Sequence, residues 1–199
     1  MAIFTYLIID QNTNTCALVD PAFDTKQLLD DIRNKGLNLK YVINTHSHAD
    51  HIAGNAYIIE KSYAKLMIHR DDVRTMNTFL NKLFARILGG RKSPMPRRLL
   101  IDGDTIQVGT IRLKVIHTPG HTPGSICLYT DGNIITGDTL FVGAIGRTDL
   151  RGGSHQQLID SIHEKLYTLP PETIVWPGHD YGATPSSTIH QERKTNLMT

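Results

Sequence analysis

The chain has 199 residues, of which 40% are hydrophobic and 20% charged, a composition typical of one folded domain spanning residues 1–199 and not of a disordered chain. Its net charge of +2 is too small to indicate nucleic acid or an acidic membrane surface as a partner. No apolar run exceeds strand length, and the first residues carry no basic segment or cleavage site. We therefore expect no membrane partner, no signal peptide and a cytoplasmic location.

The first seventy residues alternate between strand and helix patterns. Apolar runs at 3–10 and 15–20 flank the turn sequence QNTN and predict a hairpin. A helix is predicted from Asp24, whose side chain can cap it, to Gly36. The next predicted elements are a strand at 40–45, a short helix at 51–62 and a strand at 64–69. This alternation is typical of a layered α/β fold.

Residues 71–88 carry the strongest helix pattern of the sequence. Its apolar stripe consists of Val73, Met76, Phe79, Leu80, Leu83, Phe84, Ile87 and Leu88. The loop that follows, GGRKSPMPRRLL, is basic and interrupted by prolines. Two interpretations stay open: a helix packed on the core with a solvated loop, or a 71–98 region that shapes the substrate mouth or forms a homodimer contact.

From residue 105 onward strand patterns dominate, with three strands predicted at 105–118, 125–131 and 133–138. Ser154 begins a helix, and a last strand at 173–179 precedes a last helix at 186–196. Both cysteines, Cys16 and Cys127, fall in apolar strand patterns. We therefore interpret them as buried thiols in a reducing compartment rather than as a disulfide.

A cluster of metal-ligand side chains follows the predicted strand at 40–45. The sequence NTHSHADH places His46, His48, Asp50 and His51 within six positions. Imidazole and carboxylate groups suit Zn²⁺, Fe²⁺ and related ions. One ion cannot easily take four ligands from so short a loop, so the spacing indicates two neighbouring ions.

Three further candidate ligands lie at other predicted strand ends, each next to a glycine. They are His121 in HTPGHTPGS, Asp138 in IITGDTLF and His179 in IVWPGHDYG. Loops at strand ends are where functional side chains concentrate. The five histidines and two aspartates are enough for two ions that share one carboxylate.

This ordered set of motifs resembles the metallo-β-lactamase-fold hydrolases over nearly the whole chain. The resemblance implies an αββα sandwich with two divalent ions, Zn²⁺ first and Fe²⁺ or Mn²⁺ as alternatives. It also implies the division of ligands: His46, His48 and His121 on one ion, Asp50, His51 and His179 on the other, and Asp138 between them.

Within that family, GDTLFVGAIGRTDL and GHDYG resemble the glyoxalase II group and, more closely, its persulfide dioxygenase relatives. Glyoxalase II continues past the last histidine into a helical domain that grips glutathione. Only twenty residues follow His179, so we expect that grip to be absent.

The resemblance implies hydrolysis of a small thioester, of the hydroxyacylglutathione hydrolase type, by a hydroxide bridging two metal ions. A dinuclear site lowers the pKa of its bound water and stabilises an oxyanion. Asp50 would orient the hydroxide as well as bind metal. The alternative is a persulfide dioxygenase with a single Fe²⁺ at His46, His121 and Asp138.

Three residues near the ligands are candidates for substrate contacts. Arg147 in GRTDL either binds a substrate anion or supports the metal ligands, or it forms a structural pair with Asp149 that fixes the loop after Asp138. Tyr181, two residues after His179, either touches the substrate or lies on the surface. The expected partner is a small molecule.

Overall fold

The structure, a computed structural model, describes residues 3–199 and divides the chain into two compact units. The N-terminal unit comprises Thr5–Leu100 and Ile106–Arg112. The C-terminal unit comprises Ile101–Thr105, Leu113–Thr199 and the described residues up to Phe4.

The N-terminal unit is built on a five-stranded sheet with strand order β1-β2-β3-β4-β5. The first two strands form the predicted antiparallel hairpin, and the other neighbours are parallel. The strands are β1 Tyr6–Asp10, β2 Thr15–Val19, β3 Asn38–Ile43, β4 Lys65–His69 and β5 Arg98–Leu100. Parallel strands require crossover connections, and helices supply them here.

Five helices belong to this unit: α1 Thr25–Asn34, α2 Ala49–Ile52, α3 Asn55–Ser62, α4 Val73–Met76 and α5 Phe79–Ile87. Leu29 and Ile32 of α1 join Leu18 of β2, Val42 of β3 and Ile58 of α3 in one buried cluster. The α/β prediction is therefore confirmed for this half of the chain.

Three details of the helix predictions are wrong. Asp24 occupies the N-cap position of α1 but makes no side-chain cap, since its backbone is left-handed with φ 51°. The predicted helix at 51–62 is divided at Gly54, where a Cβ would overlap the carbonyl oxygen of Pro21. The predicted helix at 71–88 is interrupted at Asn77, whose amide donates to the carbonyl of Ser93, and α5 restarts with Thr78 as its side-chain cap.

The second sheet has six strands in the order β13-β12-β9-β8-β7-β6, and β10 and β11 form a separate hairpin. The strands are β6 Thr105–Val108, β7 Ile111–His117, β8 Ile126–Thr130, β9 Asn133–Gly137, β10 Leu140–Phe141, β11 Ala144–Ile145, β12 Ile174–Pro177 and β13 Ser187–Thr188. The strand predicted at 105–118 is thus two strands, because Gly109 turns the chain with φ 59°.

The helices of the C-terminal unit are α6 His155–Ser161 and α7 Ile189–Thr195. Ser154 caps α6 as predicted, accepting a hydrogen bond from the backbone N–H of Gln157. The apolar face of the helix continues through a π-helical turn at Ile162–Leu166, and Leu158, Ile162 and Leu166 are fully buried.

Among residues 3–199, no helix is both long and apolar enough to cross a membrane.

Candidate metal centre

The N-terminal unit places its four predicted ligands on the loop between β3 and the first turn of α2. His46 and His51 are buried, and His48 and Asp50 are half-buried. The ring of His46 lies 4.8 Å from that of His48 and 4.1 Å from that of His51, measured between centroids. The strand end and the short helix therefore bring three imidazoles together.

Asp20, which the sequence analysis did not single out, holds this loop. It follows β2, the parallel neighbour of β3, with Val19 opposite Ile43. One Asp20 oxygen accepts from the backbone N–H of Thr45 at 2.8 Å, and the other lies 3.0 Å from Nδ1 of His51. A carboxylate at Nδ1 fixes the proton there and leaves Nε2 as the lone pair for an ion.

Thr45 fixes the position of the ring proton of His46 in a similar way. Its hydroxyl donates to Asp20 Oδ2 at 2.5 Å and lies 3.1 Å from Nδ1 of His46. A hydroxyl has one proton, so the Thr45 oxygen accepts from the Nδ1–H of His46. His46 therefore also presents Nε2 for metal binding.

Ser47, between two of the ligands, is fixed by the 71–98 region. Its backbone N–H donates to Asp72 at 2.7 Å, and its hydroxyl lies 2.7 Å from that of Thr75. The side chain of Asn81 on α5 donates to the carbonyls of Ser47 and Thr75, both at 2.8 Å. The 71–98 region thus holds the backbone of the ligand loop.

The C-terminal unit gathers the other three predicted ligands. Asp138 follows β9 and His179 follows β12, which are parallel neighbours, and His121 lies between β7 and β8. Oδ2 of Asp138 lies 3.4 Å from Nε2 of His121 and 3.3 Å from Nε2 of His179. All three side chains are buried. The carboxyl ends of parallel strands meet at one edge of a sheet, which explains the convergence.

Several groups hold this triad in place. Nδ1 of His121 lies 2.7 Å from the carbonyl of Arg147, so its Nε2 is directed toward Asp138. The ring of Tyr181 stacks on that of His179 at 4.8 Å. Gly146 and Gly178 pack so closely on Asp138 that a Cβ on either residue would overlap it.

The separation of Asp138 from each of its two histidines suits two ligands on a shared ion. Ligand atoms about 2.1 Å from an ion in tetrahedral geometry lie about 3.4 Å apart, close to the two measured separations. The donors are imidazole and carboxylate groups, which suit Zn²⁺ and Fe²⁺. In the N-terminal unit, ligand atoms of Asp20, His46 and His51 lie within 4.8 Å of one another.

The candidate substrate residues lie in the C-terminal unit. Arg147 pairs with Asp149 through two hydrogen bonds of 2.7 Å, which matches the structural interpretation of the pair. This contact lowers the pKa of Asp149 to about 2 and raises the pKa of Arg147. Tyr181 is 56% exposed beside His179.

Comparison with known proteins identifies the family of this chain. Residues 1–179 match the model of the metallo-β-lactamase superfamily. The chain belongs to the metallo-β-lactamase superfamily. It therefore has that fold and is a metal-binding enzyme of the superfamily.

The chain is similar to relatives with different activities. It is 33% identical to the mitochondrial persulfide dioxygenase ETHE1 of Bos taurus, over 97% of the chain and 70% of that protein. It is 36% identical to a hydroxyacylglutathione hydrolase of Polaromonas sp., over 89% of the chain and 62% of that protein.

Two crystal structures show the same fold. ETHE1 from Myxococcus xanthus superposes with a TM-score of 0.82 at 32% identity, covering 98% of this chain and 79% of that one. TTHA1623 in a di-iron-bound form superposes with a TM-score of 0.85 at 32% identity, covering 98% of this chain and 94% of that one.

Proposed function

We propose that this protein is a persulfide dioxygenase that uses one Fe²⁺ held by His46, His121 and Asp138. The observation that carries the proposal is the buried contact of 3.4 Å between His121 Nε2 and Asp138 Oδ2. The persulfide dioxygenase relatives support it, since their similarity extends over 97% of the chain. Two histidines and one carboxylate are the ligand set of Fe²⁺ oxygenases with open coordination positions.

The proposed reaction balances without a further co-reactant besides water. A persulfide R–S–SH, O₂ and H₂O give R–SH, hydrogen sulfite and one proton. The sulfur atoms lose four electrons in total, and dioxygen takes up four. The bound ion would supply a redox-active centre with positions open to dioxygen and a sulfur ligand.

Neighbouring groups orient the side chains that would bind the ion. The Thr45 hydroxyl and the Arg147 carbonyl accept hydrogen bonds from the Nδ1–H groups of His46 and His121, which leaves both Nε2 atoms to bind the ion. Gly178 lets the backbone pass close to the Asp138 carboxylate, where a Cβ would overlap Oδ1. His121 and Asp138 are buried beside each other in the C-terminal unit.

A dinuclear thioester hydrolase is the second candidate. It is favoured by the retention of all seven predicted ligands, including His51, whose Nδ1 is held by Asp20. The hydroxyacylglutathione hydrolase relative and the di-iron-bound structure support the same candidate. In the dioxygenase, by contrast, four of the seven would not bind the ion: His48, Asp50, His51 and His179.

Metal analysis beside two assays tests the proposal. Protein purified without added metal should contain close to one iron per chain and consume O₂ with glutathione persulfide, forming sulfite. Two metal ions per chain, with hydrolysis of S-lactoylglutathione and no O₂ uptake, would identify the hydrolase instead. A protein with neither activity would contradict both candidates.

Variants sharpen this test, because the two candidates use different ligands. His46→Ala and Asp138→Ala should remove the iron and the O₂ uptake. Asp50→Asn should leave iron content and O₂ uptake close to wild type, since Asp50 is a ligand only in the dinuclear site. Loss of all iron in Asp50→Asn would contradict the mononuclear proposal.

A further inference from the structure

Helix α5 directs its apolar side to solvent. Phe79 is 77% exposed, Ile87 70%, Leu80 62%, Phe84 53% and Leu83 43%. At 100° per residue these five side chains occupy an arc of about 140°. We call them the α5 face.

The opposite side of α5 attaches the helix to the N-terminal unit. Ala85 is buried there, and Asn81 donates to the carbonyls of Ser47 and Thr75. A surface helix normally buries its apolar stripe and exposes its polar side. The arrangement in α5 is the reverse, and exposed apolar patches of this kind mark interaction sites.

The sequence around the α5 face is strongly basic. Residues 73–101 contain no Asp or Glu and seven cationic side chains: Arg74, Lys82, Arg86, Arg91, Lys92, Arg97 and Arg98. Because the whole chain carries +2, the remaining residues together carry −5. The small net charge that argued against an acidic membrane partner therefore conceals a concentrated positive segment.

Three of the seven cations are available to a partner. Lys82 and Arg86 lie along one edge of the α5 face, and Lys92 is exposed in the loop that follows. Their side chains have no carboxylate partner within residues 3–199. Arg91 is different, since it pairs with Glu60 at 2.7 Å.

We propose that the α5 face and its flanking cations bind the protein reversibly to an anionic phospholipid surface. An apolar helix face bordered by Lys and Arg is typical of helices that lie in the membrane interface. Clusters of four to eight cations on such a helix attract anionic lipids. The proposal goes beyond the reaction and does not depend on which metal is bound.

Charge and polarity disfavour two other partners for the α5 face, a second copy of the chain and nucleic acid. A second copy related by two-fold symmetry would bring two segments of like charge together. Nucleic acid would contact the cations but leave the five apolar side chains in water. An anionic lipid surface satisfies both features, because its headgroups meet the cations and its acyl boundary accepts Phe79 and Phe84.

Vesicle sedimentation of the full-length, metal-loaded protein tests the proposal. Binding should be at least about tenfold stronger to vesicles that contain phosphatidylglycerol than to pure phosphatidylcholine. It should fall when NaCl is raised to about 0.5 M, because salt screens the cations. Equal binding to both vesicles, or none to either, would overturn the proposal.

Two variants separate the apolar and charged contributions. Phe79→Ser with Phe84→Ser should weaken vesicle binding about tenfold or more, since both side chains are exposed and leave the core intact. Lys82→Glu with Arg86→Glu should do the same. Tyr63→Ser, which changes an aromatic side chain that is 91% exposed outside this segment, is the matched control and should bind like wild type.

Sedimentation velocity of the same proteins identifies the rival occupant. The wild type should remain monomeric at micromolar concentration without lipid. A dimer that the Phe79→Ser, Phe84→Ser variant dissociates, together with no vesicle binding, would show that a second copy covers the α5 face. That result would overturn the membrane proposal without bearing on the proposed reaction, which is tested separately by metal content and activity.

Discussion

Oδ2 of Asp20 lies 3.0 Å from Nδ1 of His51 and 2.5 Å from the hydroxyl of Thr45, which in turn contacts Nδ1 of His46. One buried carboxylate therefore orients two predicted metal ligands. Groups that hold a ligating histidine in this way typically change metal affinity by about 10- to 100-fold when removed.

Asp20→Asn should weaken Zn²⁺ binding by about 10- to 100-fold, measured by competition with a chelator. Both oxygens of Asp20 accept hydrogen bonds, from the Thr45 N–H at Oδ1 and from the Thr45 hydroxyl and His51 at Oδ2. The amide nitrogen of Asn only donates, so one of these two sets is lost. Asp24→Asn is the matched control, because Asp24 also has a positive φ but makes no side-chain cap and is exposed. Equal affinities of the two variants would contradict the role of Asp20.

Gly146→Ala should abolish tight metal binding, because its Cβ would overlap the carbonyl oxygen of Asp138 and lie 3.2 Å from Nδ1 of His121. Gly143→Ala is the control in the same loop, since its Cβ would meet open space at a φ of 71°. The control should cost about 1 kcal/mol in stability and keep its metal affinity. Isothermal titration with Zn²⁺ and thermal unfolding distinguish the two effects.

The candidate metal ligands could be picked out from the sequence because they lie at or shortly after predicted strand ends, and strand patterns are short-range signals. Asp20 also follows a strand, directly after the apolar run CALV, but nothing in its own neighbourhood identifies His51 and Thr45 as its contacts. That assignment needs the parallel pairing of β2 with β3, which places residues about 25 to 31 positions apart side by side.

The apolar stripe of residues 79–88 shows a second limit of prediction from sequence. Its periodicity correctly indicates that Phe79, Leu83 and Ile87 share one side of a helix. Periodicity does not say whether that side faces the core, and here Asn81 and Ala85 occupy the inward side. The short strands β5, β10, β11 and β13 were missed because two or three residues carry no alternating pattern.

The two cysteines should be unreactive in the folded protein. Burial raises the pKa of Cys16 and of Cys127 to about 11, so the thiolate is scarce near pH 8. Both are free and buried, which confirms their interpretation as buried thiols. Ellman's reagent should titrate almost no thiol in native protein and two per chain in denaturant. Rapid reaction of one thiol without denaturant would contradict this expectation.

Asp10 should make stability depend on pH in the acid range. The hydroxyl of Thr13 and the backbone N–H of Thr110 lower the pKa of Asp10 to about 2, from 3.8. A carboxylate with a lowered pKa stabilises the fold above its unfolded pKa, and the contribution is lost as pH falls through the folded value. The contribution should therefore be complete above about pH 5 and disappear between about pH 4 and pH 2.

Urea unfolding of wild type and Asp10→Asn over this pH range measures the effect. The difference in unfolding free energy should be constant near neutral pH and shrink as the wild-type carboxyl is protonated. Thr13→Val removes the largest cause of the lowered pKa, so its pH-dependent loss of stability should be smaller than in wild type and should be complete at a higher pH. A difference between wild type and Asp10→Asn that stays constant down to pH 2 would show that these hydrogen bonds do not favour the ionised carboxylate.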